Sequence, residues 1–161
     1  MRLFNTLTRQ LDKVVPVDGR VRIYSCGPTV YRYVHLGNLR TYLMSDWLRR
    51  ALEYQGCEVF HVKNITDVGH QRQELLERGE DKVIAAALAE GRTPQEIAES
   101  YTQAFLEDEE ALNILPAHQF PRASEHIPDM LAMIERLVGK DHAYVHEGNV
   151  YFSVASFAGY G

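Results

Sequence analysis

The sequence predicts an α/β fold organised around a strand–helix–strand unit, and three observations carry that expectation. Val21-Arg22-Ile23-Tyr24 alternates as a strand. Leu39, Tyr42, Leu43, Trp47, Leu48, Ala51 and Leu52 recur at spacings that suit one broad helical face. Cys57-Glu58-Val59-Phe60-His61-Val62 then reads as a second strand. Strand, helix, strand in this order fits a right-handed crossover with both strands parallel, which is half of a nucleotide-binding sheet.

The bulk numbers set the frame for this unit. A length of 161 residues fits about one domain, and 45% hydrophobic content is ordinary for a chain with a packed core. No apolar run approaches the roughly 18 residues of a membrane-span candidate, and the start, Met-Arg-Leu-Phe-Asn-Thr-Leu, lacks the apolar segment of a secretory signal. A soluble, cytoplasmic protein without membrane association is the expectation. A net charge of -5 gives no global basic field, so any RNA contact has to be local. The two cysteines, Cys26 and Cys57, form neither a CxxC pair nor a disulfide framework.

Taken in order, residues 1–20 are mixed in character and end in the turn signal Pro16-Val17-Asp18-Gly19, which leads into the first strand. Gly56 stops the long helix. Asn64-Ile65-Thr66-Asp67 follows the second strand, at the carboxyl end where open α/β sheets bind ligands. From Gln71 the composition turns helical, with segments at 71–78 and 81–90. Thr93-Pro94-Gln95-Glu96 then combines a cap, a proline at the first helical position and a capping box. That helix is expected to run to Leu112, with Ile97, Tyr101, Ala104, Phe105 and Leu112 packed on a neighbouring helix. Ser124 is the expected cap of a further helix whose Ile127, Met130, Leu131, Ile134, Leu137 and Val138 form a buried face, stopped by Gly139. Residues 143–146 and 149–154, joined by Glu147-Gly148, read as a β-hairpin. The sharpest boundary falls near residues 68–80, dividing a βαβ part (1–68) from a helical and hairpin part (69–161). Two parallel strands are too few for a closed ligand crevice, so the fold reads as incomplete.

The turn from Tyr24 to Asn38 carries the chemistry. Gly37 immediately precedes the long helix, so a phosphate or adenine can approach the backbone without a Cβ in the way, while the helix N-terminus favours negative charge. His35 is placed to donate to a phosphate oxygen. Neither G-x-G-x-x-G nor the G-K-[ST] of a P-loop is present. Alone, His35-Leu36-Gly37-Asn38 reads more simply as a surface histidine before a helix, and Cys26 as a small buried hydrophobe at a strand end. Asn64 and Asp67 also suit end-of-strand turn positions. Cys57 reads as packing, and His61 as a core or surface histidine.

Cys26-Gly27-Pro28-Thr29-Val30-Tyr31, then His35-Leu36-Gly37-Asn38 with Arg40-Thr41-Tyr42, then Asn64-Ile65-Thr66-Asp67 together resemble the amino-terminal part of cysteinyl-tRNA synthetases. His35 to Asn38 matches the HIGH signature of class I synthetases, with Leu for Ile and Asn for the final His. Ala111 to Ile114, Pro121 to Ala123, Gly148 to Phe152 and Ser156-Phe157 extend the resemblance over nearly the whole chain. It implies a Rossmann-type (HUP-like) catalytic domain, its first half in 1–68, interrupted by a mostly helical connective insertion in 69–161. The implied activity is ATP-dependent activation of cysteine and its transfer to tRNA(Cys). The implied catalytic residues are His35 and Asn38, with Gly27, Thr29, His35, Gly37, Asn38 and Thr66 around the substrates. Cys26 corresponds to a zinc ligand of the family, where the open position on Zn2+ takes the thiolate of substrate cysteine.

The sequence departs from the family in two ways. After Asn-Ile-Thr-Asp-Val the usual two aspartates and lysine give way to Gly69-His70-Gln71-Arg72, and His70 reads as a loop histidine. The other zinc ligands, the KMSKS loop, the second half of the sheet and the anticodon-binding region fall after residue 161 in the family, so this chain alone is expected to be inactive. Two alternatives stay open: an ATP-dependent ligase joining cysteine to an amino sugar, and a non-catalytic synthetase paralogue that binds nucleotide or a protein partner.

Overall fold

In the computed structural model, which describes residues 1–68 and 82–160, the chain begins with a hairpin that the mixed composition of residues 1–20 did not signal. Its strands β1 (Arg2–Asn5) and β2 (Gln10–Lys13) pair antiparallel, with Arg2 opposite Lys13 and Asn5 opposite Gln10. The amphipathic signal is weak because both faces are largely exposed; Met1 and Val14 pack at the foot of the next sheet.

The βαβ unit forms as the sequence predicts. β3 (Arg20–Ser25) and β4 (Glu58–Lys63) are parallel, with Val21 opposite Val59, Ile23 opposite His61 and Ser25 opposite Lys63. They are joined by α1 (Leu36–Tyr54). Gly56 adopts φ +79 just past the end of α1, and the Gly56 and Cys57 amides return to the Glu53 and Leu52 carbonyls. That left-handed residue turns the chain straight into β4. Of the expected helical face, Tyr42 and Leu52 are buried, whereas Trp47 is exposed and Asp46 is buried in its stead. Asp46 is satisfied there: Arg50 Nε donates to Oδ2 at 2.7 Å and the Leu115 amide to Oδ1 at 3.0 Å.

α2 (Lys82–Glu90) and α3 (Pro94–Ala111) follow, and the Thr93–Glu96 capping box is present. Thr93 Oγ1 accepts from the Glu96 amide at 3.2 Å, and Glu96 Oε2 from the Thr93 amide at 2.8 Å. Ile97 and Phe105 enter a core with Val30, Tyr42, Ile65, Val83 and Ile114, while Leu112 lies outside it, exposed. The expected helix over 71–78, and Gly69 and His70, lie outside the described residues.

A further parallel segment lies along β4 on the edge away from β3. The His118 amide donates to the His61 carbonyl, Lys63 to Gln119, Ile65 to Pro121 and Ala123 to Ile65, at 2.8–3.0 Å. Pro116 and Pro121 argue against a strand in the sequence; an edge position accommodates proline, since its missing N–H faces away from the ladder. The chain forms two compact units, Met1–Ala123 and Ser124–Gly161, and this return belongs to the first.

The second unit holds α4 (Ile127–Val138) and the hairpin β5 (Ala143–His146) with β6 (Asn149–Phe152). Glu147 and Gly148 both take positive φ, 49 and 77, as a two-residue hairpin turn requires. Ser124 does not cap α4: a 3₁₀ turn over Ala123–His126 intervenes and His126 stands at the helix start without a side-chain cap. The apolar face expected to be buried is open in this unit. Ile127, Met130, Leu131 and Ile134 are 37–55% exposed, and Ala143 is the one buried residue among those described in the unit.

Candidate functional site

The site forms where β3 and β4 end side by side. Beyond β3 the chain continues in register with the end of β4: the Thr66 amide donates to the Pro28 carbonyl at 3.0 Å, and the Val30 amide to the Thr66 carbonyl at 3.1 Å. This brings Cys26–Thr29 against Asn64–Thr66, two stretches that the sequence separates by almost forty residues. Gly27 is fixed by that approach. A Cβ there would lie 1.8 Å from the Asn64 carbonyl oxygen and 3.2 Å from Lys63 Cγ, so no larger residue fits without moving a strand end.

Asn64 clasps the two ends together. Its Oδ1 accepts from the Gly27 amide and the Tyr24 hydroxyl, both at 3.0 Å, and its Nδ2 donates to Thr66 Oγ1 at 3.0 Å. The sequence left Asn64 as an ordinary turn residue. The signal was there, since an asparagine at a strand end can bond across to a facing backbone amide.

His35 caps α1. Its Nδ1 accepts from the Gly37 amide at 3.1 Å and the Asn38 amide at 3.3 Å, and Asn38 Oδ1 accepts from the His35 amide at 3.3 Å. Because Nδ1 serves as acceptor, the neutral ring carries its proton on Nε2, the nitrogen left to serve a ligand. Gly37 makes the cap possible: a Cβ there would sit 2.9 Å from His35 Cε1. Gly37 thus lies in the first turn of α1 and not immediately before the helix as expected, because His35 is the cap and its ring folds back over the helix start.

Between these parts lies a cleft of about 240 Å³. Gly27, Pro28 and Thr29 line it together with Tyr31 to His35 and Asn38. Of the residues proposed from sequence, Gly27, Thr29, His35 and Asn38 line it together; Cys26, Gly37 and Thr66 are outside the lining but bonded or adjacent to residues within it.

Beneath the turn the buried face of β4 is polar. Ser25 Oγ and His61 Nε2 share a hydrogen bond at 2.8 Å, while the buried His61 Nδ1 has no hydrogen-bond partner among the described residues. Burial foremost, then the positive charges of Lys63 and Arg49, push the His61 pKa down to about 4, so the ring is neutral. Lys63 is fully buried, paired with Glu109 of α3 and set over the rings of Tyr42 and Phe105 at 4.8 and 5.7 Å. Burial raises the Glu109 carboxyl and the Lys63 hydrogen bond opposes it. The Tyr42 phenol is pushed up to about 12, first by burial, then by Glu109 and by Cys26.

Cys26 is exposed. A structural or catalytic zinc needs three or four protein ligands, and among the described residues no group of three or more His, Cys, Asp or Glu side chains is placed to hold a metal. Cys26 with its described neighbours therefore does not make a zinc site. No helix among the described residues is long and apolar enough to cross a membrane.

Comparison with known proteins fits this geometry. Residues 13–161 match the model of the tRNA synthetases class I (C) catalytic domain. The chain is 48% identical over 162 residues to the cysteine–tRNA ligase of Novosphingobium aromaticivorans, an alignment that takes in 100% of this chain and 32% of that protein. It is 47% identical over 161 residues to the cysteine–tRNA ligase of Treponema pallidum, covering 99% and 31%. The chain thus spans about a third of the length of these relatives. Among solved structures, Mycobacterium tuberculosis methionyl-tRNA synthetase in complex with methionyl-adenylate superposes with a TM-score of 0.62 at 16% identity, over 83% of this chain and 28% of that one. That likeness establishes the Rossmann-type synthetase fold, and the match across residues 13–161 places the chain in the family of tRNA synthetases class I (C) catalytic domains.

Proposed function

We propose that this chain supplies the first nucleotide-binding part of an enzyme that activates cysteine with ATP and passes it to tRNA(Cys). The observation that carries the reading is near 48% identity to cysteine–tRNA ligases along the entire chain, with the HIGH-like His35–Asn38 turn set on the cleft at the carboxyl ends of two parallel strands. In the first step the cysteine carboxylate attacks the α-phosphorus, the bond to the bridging oxygen breaks, and its electron pair leaves with pyrophosphate. In the second a terminal ribose hydroxyl of the tRNA attacks the acyl carbon and AMP departs. Neither step needs a protein nucleophile, so the contribution of these residues is position and charge.

In this reading His35 Nε2–H donates to the phosphate chain, and the Asn38 amide, its Oδ1 engaged in the cap, offers Nδ2. Gly27 and Thr29 provide a close backbone wall, and Gly37 makes room for the cap. Thr66, tied to Asn64, faces the cysteine side. Cys26 would give one thiolate to zinc, whose bound state selects a soft thiolate over a hydroxyl; the remaining ligands are not among the described residues, and no step is routed through the ion. The connective-insertion role belongs in this reading to the helical and hairpin part assigned from sequence to 69–161, of which 82–123 packs in the first unit. The cytoplasm is the compartment it implies.

Cysteine-dependent ATP–pyrophosphate exchange and charging of tRNA(Cys) test the proposal on the protein as its gene encodes it. Both activities are expected, and the isolated 161-residue chain is expected to show neither. Exchange that charges an amino sugar and not tRNA would overturn the tRNA assignment; absence of exchange with all substrates present would overturn the reading itself.

A further inference from the structure

We infer that Arg32 is a phosphate-binding residue of the cleft, gripping the phosphate chain of the nucleoside triphosphate beside His35. The inference rests on the proposed function for the identity of the nucleotide, and on the structure for the choice of residue.

The argument begins with what the helix cap consumes. A phosphate at a helix start ordinarily takes the first free amides, but here the Gly37 and Asn38 amides already donate to His35 Nδ1. Two of the donors that normally bind the anion are therefore engaged, and the task passes to side chains that line the cleft. Among the described residues Arg32 is the one lysine or arginine in that lining, and no aspartate or glutamate accompanies it. The protein is acidic as a whole, at -5, yet it carries no Asp or Glu from Gly19 to Ser45, while Arg20, Arg22, Arg32 and Arg40 fall within those bounds. Arg20 and Arg22 pair with Glu58 and Asp18. Arg32 makes no ion pair among the described residues and instead holds its guanidinium 5.1 Å from the Tyr31 ring centroid. A guanidinium set over an aromatic ring does not spend its N–H donors on that contact, and its planar fork matches two oxygens of a phosphate. A cation with no carboxylate partner among the described residues, set over a ring in a cleft whose described lining holds no acid, fits an anionic ligand.

Arg32→Ala, Arg32→Gln and Arg32→Lys test this in the full protein. Arg32 is exposed, so the three variants should keep the thermal midpoint of the parent. In cysteine-dependent pyrophosphate exchange without tRNA, the Ala and Gln variants are expected to raise the KM for ATP on the order of tenfold, as loss of one charge-assisted contact does. The KM for cysteine should stay within about twofold, and Lys should recover part of the loss because it keeps the charge without the fork. Equilibrium binding of ATP supplies a second reading. If the parent binds ATP and Arg32→Ala weakens it although no cysteine-dependent exchange occurs, the phosphate assignment stands and the proposed function falls. An active parent whose variants keep the ATP KM overturns the Arg32 assignment and leaves the function intact. Unchanged ATP KM with slowed transfer from preformed adenylate to tRNA also overturns it, and gives Arg32 to the phosphates of the tRNA end.

Discussion

His61 shows how one residue ties the site to the stability of the fold. It lies under the turn, bonded through Nε2 to Ser25, the residue before Cys26, and burial holds its pKa down at about 4 against an ordinary 6.5. The folded state thus keeps the ring neutral while the unfolded chain binds a proton as soon as the pH drops below about 6.5. Stability from this residue is complete above that value, declines as the pH falls toward about 4, and changes no further below it. The loss amounts to about 3 kcal/mol across the window. Chemical denaturation at a series of pH values should show His61→Phe with a flatter profile than the parent between these limits. Glu109, raised by burial, favours folding in acid and so acts in the opposite sense, but it is common to both proteins and cancels in the comparison. Equal slopes for the two proteins would refute the assignment. The sequence placed His61 on a strand and left its side open; its neutrality depends on Lys63, Arg49 and the surrounding burial, which no local pattern encodes.

Between elements, the decisive contact is the buried pair of Lys63 from β4 and Glu109 from α3. Lys63 ends the strand whose neighbour, Asn64, clasps Gly27, and the Lys63 stem is the wall against which Gly27 packs. Through this ion pair α3 reaches the strand end beneath the site, with the rings of Tyr42 and Phe105 closing over the ammonium. A buried pair adds little net stability, because desolvation offsets attraction, yet breaking it strands a charge. Lys63→Met alone is expected to cost ~4 kcal/mol in urea denaturation. The double change Lys63→Met with Glu109→Leu should regain most of that, since two apolar side chains need no partner. A double variant as unstable as the single one would contradict this account. The Thr93–Glu96 cap of α3 was readable from four residues; the use of Glu109 sixteen residues further along was not, because its partner comes from another element.

At the scale of the molecule the two units differ in how well they support themselves. Met1–Ala123 holds two buried apolar clusters, whereas in Ser124–Gly161 the apolar faces of α4 and of the hairpin are largely open. Fewer than about 40 residues seldom bury enough surface to fold without a staple, and the described residues of this unit contain neither a cysteine nor a metal cluster. An isolated peptide of residues 124–161 is therefore expected to lose its ellipticity gradually on heating, with no cooperative transition by circular dichroism. A sigmoidal transition independent of concentration would show that the unit folds alone. Periodicity identified correctly which α4 residues share a face, but it cannot state whether anything covers that face.

By itself the sequence determined the strand–helix–strand order, the caps at Thr93 and Gly56, the hairpin turn at Glu147-Gly148 and the synthetase resemblance, all of which depend on residues close together in the chain. Tertiary structure alone decided that residues 118–123 lie along β4 and that Asn64 holds Gly27. It also decided that a histidine and a lysine occupy the buried face of a strand, and that the His35 ring takes the amides at the start of α1. Those outcomes depend on which groups meet across long stretches of chain, where a partner in space supplies the hydrogen bond or charge that burial would otherwise leave missing.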